Sequence, residues 1–512
     1  MPLKRALALC VASAVLYFLT FLDFDLYPLI WFCFVPVLYA IRDATPRRAL
    51  LLGTVFGAVT NAGGYYWVVH TIQTFGGLNI VVALLGYALL CVYQGFLLAI
   101  VLALVRLGER NLGIAPVWSL AIVFPALELA YPLLFPSYIG NSQLRFHAIT
   151  QFVDITGMAG LTLLIGLVNG AFYELVEARL QRRKVRLPRV AVPASMFVAC
   201  LAYGLIRLPQ VDAMTANAPQ LKVGIVQTNI GAGEKAADPD EFVRRHREMS
   251  QALIAAQPDV DLIIWPESAY NRLLPRSEPM FVPEVTAGIE RPLLFGALTY
   301  DHRDGEQRIF NSLLLAPEHG MVSSIYDKIE LLVFGETYPF SATLPALDKI
   351  FGTNWFTRGT SLRHLQLDGH SFLPMICYED ILPSLVRRLW RDGGPASVLV
   401  NGTNDSWYGN THQPMIHLAL ASFRSIETRR ALIRSTNTGI SAIVDPAGRI
   451  VQRTGQWTQE ALVADVPLIE DGSSTVFMKL GDLTGWGCLV LTIVGWWRAR
   501  HLNRPSARHP SA

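Results

Sequence analysis

An apolar run at 372–376 ends directly on Cys377, which is followed by Tyr378, Glu379 and Asp380 and then by a helical pattern over 381–391. A thiol at such a strand-to-helix elbow stands at a sheet edge and near the positive end of a helix, where a thiolate is stabilised. Taken alone, the position fits a nucleophile and a buried structural thiol equally well. Two further runs end on charged groups. Leu262-Ile263-Ile264-Trp265 leads through Pro266 to Glu267, and Ser323-Ser324-Ile325-Tyr326-Asp327 leads to Lys328. A carboxylate to take a proton, a thiol to attack and a cation to hold a developing oxyanion are the parts of thiol-based acyl transfer. Singly, Glu267 also fits a surface carboxylate and Lys328 a solvated cation; their order and their setting at strand ends are what point to chemistry. His412 and His417 stand five apart without a third ligand at close spacing, so neither a metal nor a cofactor is expected.

These groups need strands to carry them. Runs at 221–226, 262–265, 293–298, 312–316, 372–376, 397–400 and 440–444 read as strands, and 241–256, 381–391 and 413–430 read as helices. Such alternation predicts an α/β or layered α-β-β-α fold. It occupies 221–468, between polar linkers at 209–220 and 469–482.

The rest of the chain is of another kind. Of 512 residues, 52% are hydrophobic and 16% charged, with a mean hydropathy of +0.35, whereas soluble domains carry roughly a quarter charged residues. A wholly soluble enzyme and a disordered chain are both excluded. A net charge of +3 without a basic face gives no reason to expect nucleic acid. The apolar surplus lies in 6–22, 26–41, 49–105, 111–127, 155–173, 190–206 and 483–497, the third holding two helices around a polar turn at 73–79. At about 20 apolar residues per crossing, eight transmembrane spans are predicted: seven within 1–208 and one in 483–512.

Basic residues occupy every second connection: Lys4 and Arg5, then Arg42, Arg47 and Arg48, then Arg106 and Arg110, then a cluster from Arg179 to Arg189, and finally Arg498 and Arg500. The other turns hold Asp23, Asp25, Gln73 and Asn79. Basic connections stay in the cytoplasm, so both termini are expected there and 209–482 outside. Lys4 and Arg5 before an apolar run also resemble a secretory signal, but no small-residue cleavage site follows, and Cys10 reads as a packed thiol. Five of the six cysteines lie in apolar stretches, leaving Cys377 alone in the outward region and excluding a disulfide framework there.

The ordered set Trp265-Pro266-Glu267, Tyr326-Asp327-Lys328 and Cys377-Tyr378-Glu379 resembles the Glu, Lys and Cys triad of the nitrilase superfamily. With Phe334-Gly335-Glu336, Asn404-Asp405-Ser406-Trp407-Tyr408-Gly409 and Arg434-Ser435-Thr436-Asn437-Thr438-Gly439-Ile440-Ser441, and with eight spans, the chain resembles the bacterial apolipoprotein N-acyltransferases over nearly its whole length. That resemblance implies a four-layer α-β-β-α catalytic domain inserted between transmembrane helices seven and eight, at the periplasmic face of the inner membrane. It implies an acyl chain taken from a phospholipid, usually phosphatidylethanolamine, and passed to the amino group of a diacylglyceryl cysteine on an apolipoprotein. Carried over by motif, Glu267 is the base, Lys328 the oxyanion stabiliser and Cys377 the acyl-carrying nucleophile; Glu336 and Glu379 are supporting carboxylates and Tyr378 flanks the nucleophile. One departure is visible: Lys235 is followed by Ala236 and Ala237, where many members have Trp.

The apolar, aromatic segment 338–355, interrupted by Pro339 and Pro345, is expected to be an arm resting on the bilayer, with packed domain core as its other reading. Two other functions share some of these features. A membrane-tethered amidohydrolase would use the same triad and release its acyl group to water. A transporter would use intramembrane charge, for which Glu128 is the main candidate.

Overall fold

The computed structural model describes residues 1–501 apart from 22, 23, 25, 232–238, 278, 304, 318, 319, 334 and 338–355. The expected arm at 338–355, the Lys235-Ala236-Ala237 stretch and Phe334 thus lie outside the described residues. The chain divides into two compact units, Met1–Arg207 joined by the chain from Leu480 onward, and Leu208–Lys479.

The first unit is built from α1 (Leu3–Phe18), α2 (Val35–Ile41), α3 (Pro46–Gly64), α4 (Trp67–Thr74), α5 (Ile80–Leu112), α6 (Pro116–Ala130), α7 (His147–Thr150), α8 (Val153–Leu180), the membrane part of α9 (Pro188–Ala216) and a last helix, Leu483–His501. Among the described residues, α5, α8 and α9 are long and apolar enough to cross a membrane, and 27–41 and α6 are shorter apolar segments. The stretch 26–41, expected as one span, is broken into a 3-10 helix, Tyr27–Trp31, and α2. Pro28 and Pro36 bring no N–H to the helix ladder. The irregular backbone is satisfied from afar: Phe34 N–H donates to Asn169 Oδ1 (2.9 Å), Asn169 Nδ2 to Ile30 O (2.7 Å) and Val37 N–H to Ser13 Oγ (2.9 Å).

Helices α3 and α5 touch backbone to backbone through Gly53 and Gly57 facing Ala99 and Gly95; a Cβ added at Gly57 would lie 2.0 Å from Gly95 O. Small residues four apart on both helices permit that approach. Glu128, the charge a transporter would use, accepts the Thr162 hydroxyl (2.6 Å) and the Ile139 N–H (2.9 Å), tying α6 to α8 and to the turn that follows α6.

The second unit holds two mixed sheets. Its strands are β1 (Gln220–Gln227), β2 (Leu262–Ile264), β3 (Tyr270–Pro275), β4 (Leu293–Arg303), β5 (Glu306–Ala316), β6 (Ser324–Asp327), β7 (Leu365–Leu367), β8 (His370–Ile376), β9 (Val398–Thr403), β10 (Leu432–Thr436), β11 (Ala442–Val444), β12 (Ile450–Arg453) and β13 (Glu460–Pro467). The first sheet runs β13-β1-β2-β4-β5-β6 with β3 on β4, and the second runs β12-β11-β10-β9-β8-β7. Strands β1, β2 and β4 are parallel, as are β8, β9 and β10. Since β5 is antiparallel to both β4 and β6, β6 runs with β2. The residues after β2 and after β6 therefore emerge at one edge of the first sheet, and those after β8, β9 and β10 at one edge of the second.

The helices are α10 (Pro239–Ala256), α11 (Pro283–Thr286), α12 (Pro383–Gly393) and α13 (Gln413–Thr428), with a short Val476–Leu480 segment at the end. Period-two alternation splits the strands between two apolar clusters. Val223, Ile225, Leu262, Ile264 and Leu313 join Leu373, Leu399 and Leu432 of the second sheet together with Leu385 and Leu389 of α12 and Leu418 of α13. Their neighbours Val226, Ile263, Trp265 and Leu314 turn the other way, onto Phe242 and Leu253 of α10. The helix expected over 413–430 stops at Thr428 because Arg429 takes a left-handed conformation with φ of +56°. The strand expected over 397–400 instead runs to Thr403, and that over 440–444 begins at Ala442.

Candidate active site

Glu267 stands three residues beyond the end of β2, Lys328 directly after β6, and Cys377 directly after β8. All three are buried, as is Glu336. Lys328 Nζ lies 2.9 and 2.8 Å from the two carboxylate oxygens of Glu336 and 3.8 Å from Glu267 Oε1. Burial by itself would push the Lys328 ammonium down, but the Glu336 carboxylate, with Cys377 and Glu267 behind it, more than offsets this, so its direction is upward and the group stays charged. Each carboxylate is also fixed from the backbone side. Asn311 Nδ2 donates to Glu267 Oε1 (2.7 Å) and to Glu336 Oε1 (3.3 Å), Asn404 N–H donates to Glu267 Oε2 (2.8 Å), and Leu332 N–H donates to Glu336 Oε2 (2.8 Å).

The Asn404 contact joins the end of β9 to the end of β2. At that crossing a Cβ on Gly402 would meet Leu313 Cδ2 at 2.9 Å and the Glu267 backbone N at 3.4 Å, so the close approach of the two sheets needs glycine there.

Cys377 opens a five-residue 3-10 turn, Cys377–Ile381, and carries a left-handed φ of +55°. The α-helix itself begins only at Pro383. This corrects the expectation of a thiolate held by a helix N-terminus. Burial pushes the thiol up and the Glu267 charge adds to that push, while Lys328 and a Thr403 hydrogen bond pull the other way; the net direction is upward. The resting group is a thiol, and it needs a base when it attacks.

Glu379 ties the nucleophile turn to the lysine. Its Oε1 accepts Ile329 N–H (2.7 Å) and Glu330 N–H (2.9 Å), and its Oε2 accepts the Tyr326 hydroxyl (2.9 Å) and Ile376 N–H (2.8 Å). Burial pushes the Glu379 carboxyl up to about 7 against the pull of those amides. Tyr378 donates its hydroxyl to Leu331 O (3.0 Å), and its ring centroid lies 5.6 Å from Lys328 Nζ.

The structure thus brings together all six residues singled out from sequence, and adds others. Asn311 and Asn401 are buried amides within strands, and Arg434, named from sequence only within a motif and without a role, follows Leu432-Ile433 in β10, a strand outside the sequence expectation. For Asn311, between Ile309-Phe310 and Leu313-Leu314-Leu315, a polar residue within an apolar run is the available signal. His417, weighed from sequence as half of a metal pair, instead places Nε2 at 2.9 Å from Asp380 Oδ1 and Nδ1 at 3.1 Å from Asp405 Oδ1. Burial and the Arg434 charge push its imidazole down, but the two aspartates prevail and the direction is up.

Two family models match the chain, one in each of its units. The model of the apolipoprotein N-acyltransferase N-terminal domain matches residues 13–171, and that of carbon-nitrogen hydrolases matches 222–470. The chain is 32% identical over 501 residues to an apolipoprotein N-acyltransferase of Geobacter metallireducens, covering 95% of this chain and 94% of that one. It is 28% identical over 515 residues to an apolipoprotein N-acyltransferase of Bdellovibrio bacteriovorus, covering 94% and 91%. Among solved structures, Saccharomyces cerevisiae Nit3, of branch 10 of the nitrilase superfamily, matches with 18% identity and a TM-score of 0.37, over 48% of this chain and 90% of that chain.

Proposed function

Because the chain belongs to the apolipoprotein N-acyltransferase family, we propose that it takes an acyl chain from a membrane phospholipid, phosphatidylethanolamine first among them, and passes it through a thioester on Cys377 to the amino group of a diacylglyceryl cysteine on an apolipoprotein. It is a membrane-bound acyltransferase. The observation that carries the mechanism is the buried Glu267–Lys328–Glu336 cluster, whose charges act on the Cys377 thiol.

Glu267 takes the Sγ proton as sulfur attacks the ester carbonyl, and Lys328 meets the charge that develops on the carbonyl oxygen. Collapse breaks the carbon–oxygen bond; the lysophospholipid leaves with the proton Glu267 held, and the acyl group stays on sulfur. In the second half the acceptor amine attacks the thioester. Its proton passes through Glu267 to the departing sulfur, and an amide is formed. Glu336 holds Lys328 in place, while Tyr378 and Glu379 fix the turn. Since both substrates are lipids, and each buried methylene is worth about 0.8 kcal/mol, the reacting groups stay at a bilayer surface.

In this reading, residues 221–468 form a four-layer α-β-β-α domain between the seventh and eighth of eight spans, periplasmic to a bacterial inner membrane, with both termini cytoplasmic. Alternating basic connections support the topology, and the two apolar clusters, one shared by both sheets and one beneath α10, support the layering.

The test offers the purified protein phosphatidylethanolamine and a diacylglyceryl-cysteinyl peptide in mixed micelles. Equal amounts of N-acylated peptide and lysophospholipid are expected. Free fatty acid beside unmodified peptide would make the protein a hydrolase instead.

A further inference from the structure

Behind the nucleophile turn lies a second buried cluster that the reaction as written does not use. Asp380 comes from the turn itself, Asn401 from β9, Asp405 from the turn after β9, His417 from α13 and Arg434 from β10, and all five are buried. Arg434 Nη1 donates to Asp380 and to Asn401 Oδ1 (3.3 Å), and Nη2 donates to Asp405 Oδ2 (3.0 Å). His417 bonds to both aspartates, and its Nδ1 lies 3.0 Å from Arg434 Nη2. Two links run from this cluster to the nucleophile. Asn401 Nδ2 donates to the Cys377 carbonyl at 2.9 Å, and Asp380 is the fourth residue of the turn that Cys377 opens.

Cys377 needs such a hold. Its φ of +55° is one that a residue with a Cβ adopts only where its surroundings fix it. Without the Asn401 amide, the Cys377 carbonyl would be buried without that donor, and the turn would relax toward an ordinary conformation that swings Sγ away. A buried ion-pair cluster adds little stability over apolar packing of the same volume, so stability alone is a weak reason for one here. The planar fork of arginine reaches Asp380, Asn401 and Asp405 at once, which a lysine point charge cannot do.

We propose that Arg434 and Asn401 are positioning residues for acyl transfer: the guanidinium locks Asn401 and Asp380, and through them holds the Cys377 backbone in the left-handed conformation that directs its thiol to Glu267 and Lys328. This rests on Cys377 being the acyl-carrying nucleophile.

The test uses the full-length, detergent-solubilised protein carrying Asn401→Leu, which keeps the side-chain size and changes no charge, and separately Arg434→Lys. Thioester formation from phosphatidylethanolamine micelles is followed by intact mass over a range of lipid concentration, normalised to the fraction of Cys377 that iodoacetamide alkylates. The maximal acylation rate is expected to fall about 10- to 100-fold in both variants, while the half-saturating lipid concentration stays within about twofold of wild type. The pH midpoint of Cys377 alkylation in Asn401→Leu stays where it is in wild type, since no charge is lost. A merely structural role would lower the unfolding midpoint and the alkylatable fraction and leave the normalised rate unchanged, and that result overturns the proposal. So does a wild-type maximal rate, an effect on half-saturation alone, or an alkylation midpoint displaced far enough to account for the loss. If Asn401→Leu does not accumulate as folded protein, Arg434→Lys decides by the same split. Absence of a thioester in the wild-type control would instead refute the functional reading itself, and so is distinguishable.

Discussion

Lys328→Met and Glu267→Gln should fail in different ways, and the geometry says how. At 3.8 Å from Glu267, an ammonium supplies about 4 kcal/mol of attraction at an effective dielectric of about 20, and it sits closer still to Glu336. Removing it leaves two carboxylates, bridged by the same Asn311 amide, facing each other without a cation. Their mutual repulsion is then uncompensated, and the base is compromised together with the oxyanion site. Loss of the oxyanion charge alone is typically worth about 3 to 4 kcal/mol, or roughly 10²- to 10³-fold in rate. Raising the pH helps the thiol ionise, but it does not replace the cation. Glu267→Gln keeps Lys328 and loses the base, for about 10²- to 10⁴-fold at neutral pH. Because burial holds the Cys377 thiol above the ordinary cysteine range, that variant should gain steadily with pH and not level off near the usual thiol value of about 8.5. The assay is quenched-flow mass spectrometry of the Cys377 acyl adduct from neutral pH to about pH 10. Full alkaline rescue of Lys328→Met, or none for Glu267→Gln, would refute the assigned roles.

Two further outcomes rest on the same geometry and a third on the alternation of basic connections. Glu379, pushed up to about 7, accepts its four donors fully only when ionised, so wild-type acylation should fall as pH drops through about 7; Glu379→Gln should be slow throughout and lack this limb, and a persisting limb would assign it elsewhere. His417 has a folded pKa raised above the ordinary value of about 6.5, so its stabilising contribution is complete below that value and lost as pH rises through the folded value. The unfolding deficit of His417→Gln should therefore be largest near pH 5 to 6 and shrink on the alkaline side, and a deficit that grew with pH would contradict the pairing. A periplasmic reporter fused near Gln210 and a cytoplasmic one fused after Arg500 should both be active, whereas two reporters on one side would remove the eighth span.

Glu267, Lys328 and Cys377 are legible because each follows a strand-like run, and strand ends are where side chains reach an open edge. Asn401 is not legible, and Arg434 is legible only as part of a motif and without a role, since a polar residue that closes a short apolar run reads as the end of a strand, and β10 is lost to that reading. What rescues them is pairing across the sheet: Arg434 lies opposite Asn401 in the β9–β10 register, a relation that composition does not carry. The thiolate expectation failed for a similar reason. The local pattern located the elbow, but the burial that raises the thiol comes from residues distant in sequence. Likewise the break within 26–41 depends on Asn169, which is 135 residues from Phe34, so apolarity alone read as one continuous span.

The central claim is that Cys377 carries the acyl group. Peptide-resolved mass spectrometry after phosphatidylethanolamine exposure should find one hydroxylamine-sensitive acyl adduct, on the peptide containing Cys377, discharged by a diacylglyceryl-cysteinyl amine and absent from Cys377→Ser. A hydroxylamine-sensitive adduct that persists in Cys377→Ser, or acceptor acylation without any adduct on Cys377, would contradict it.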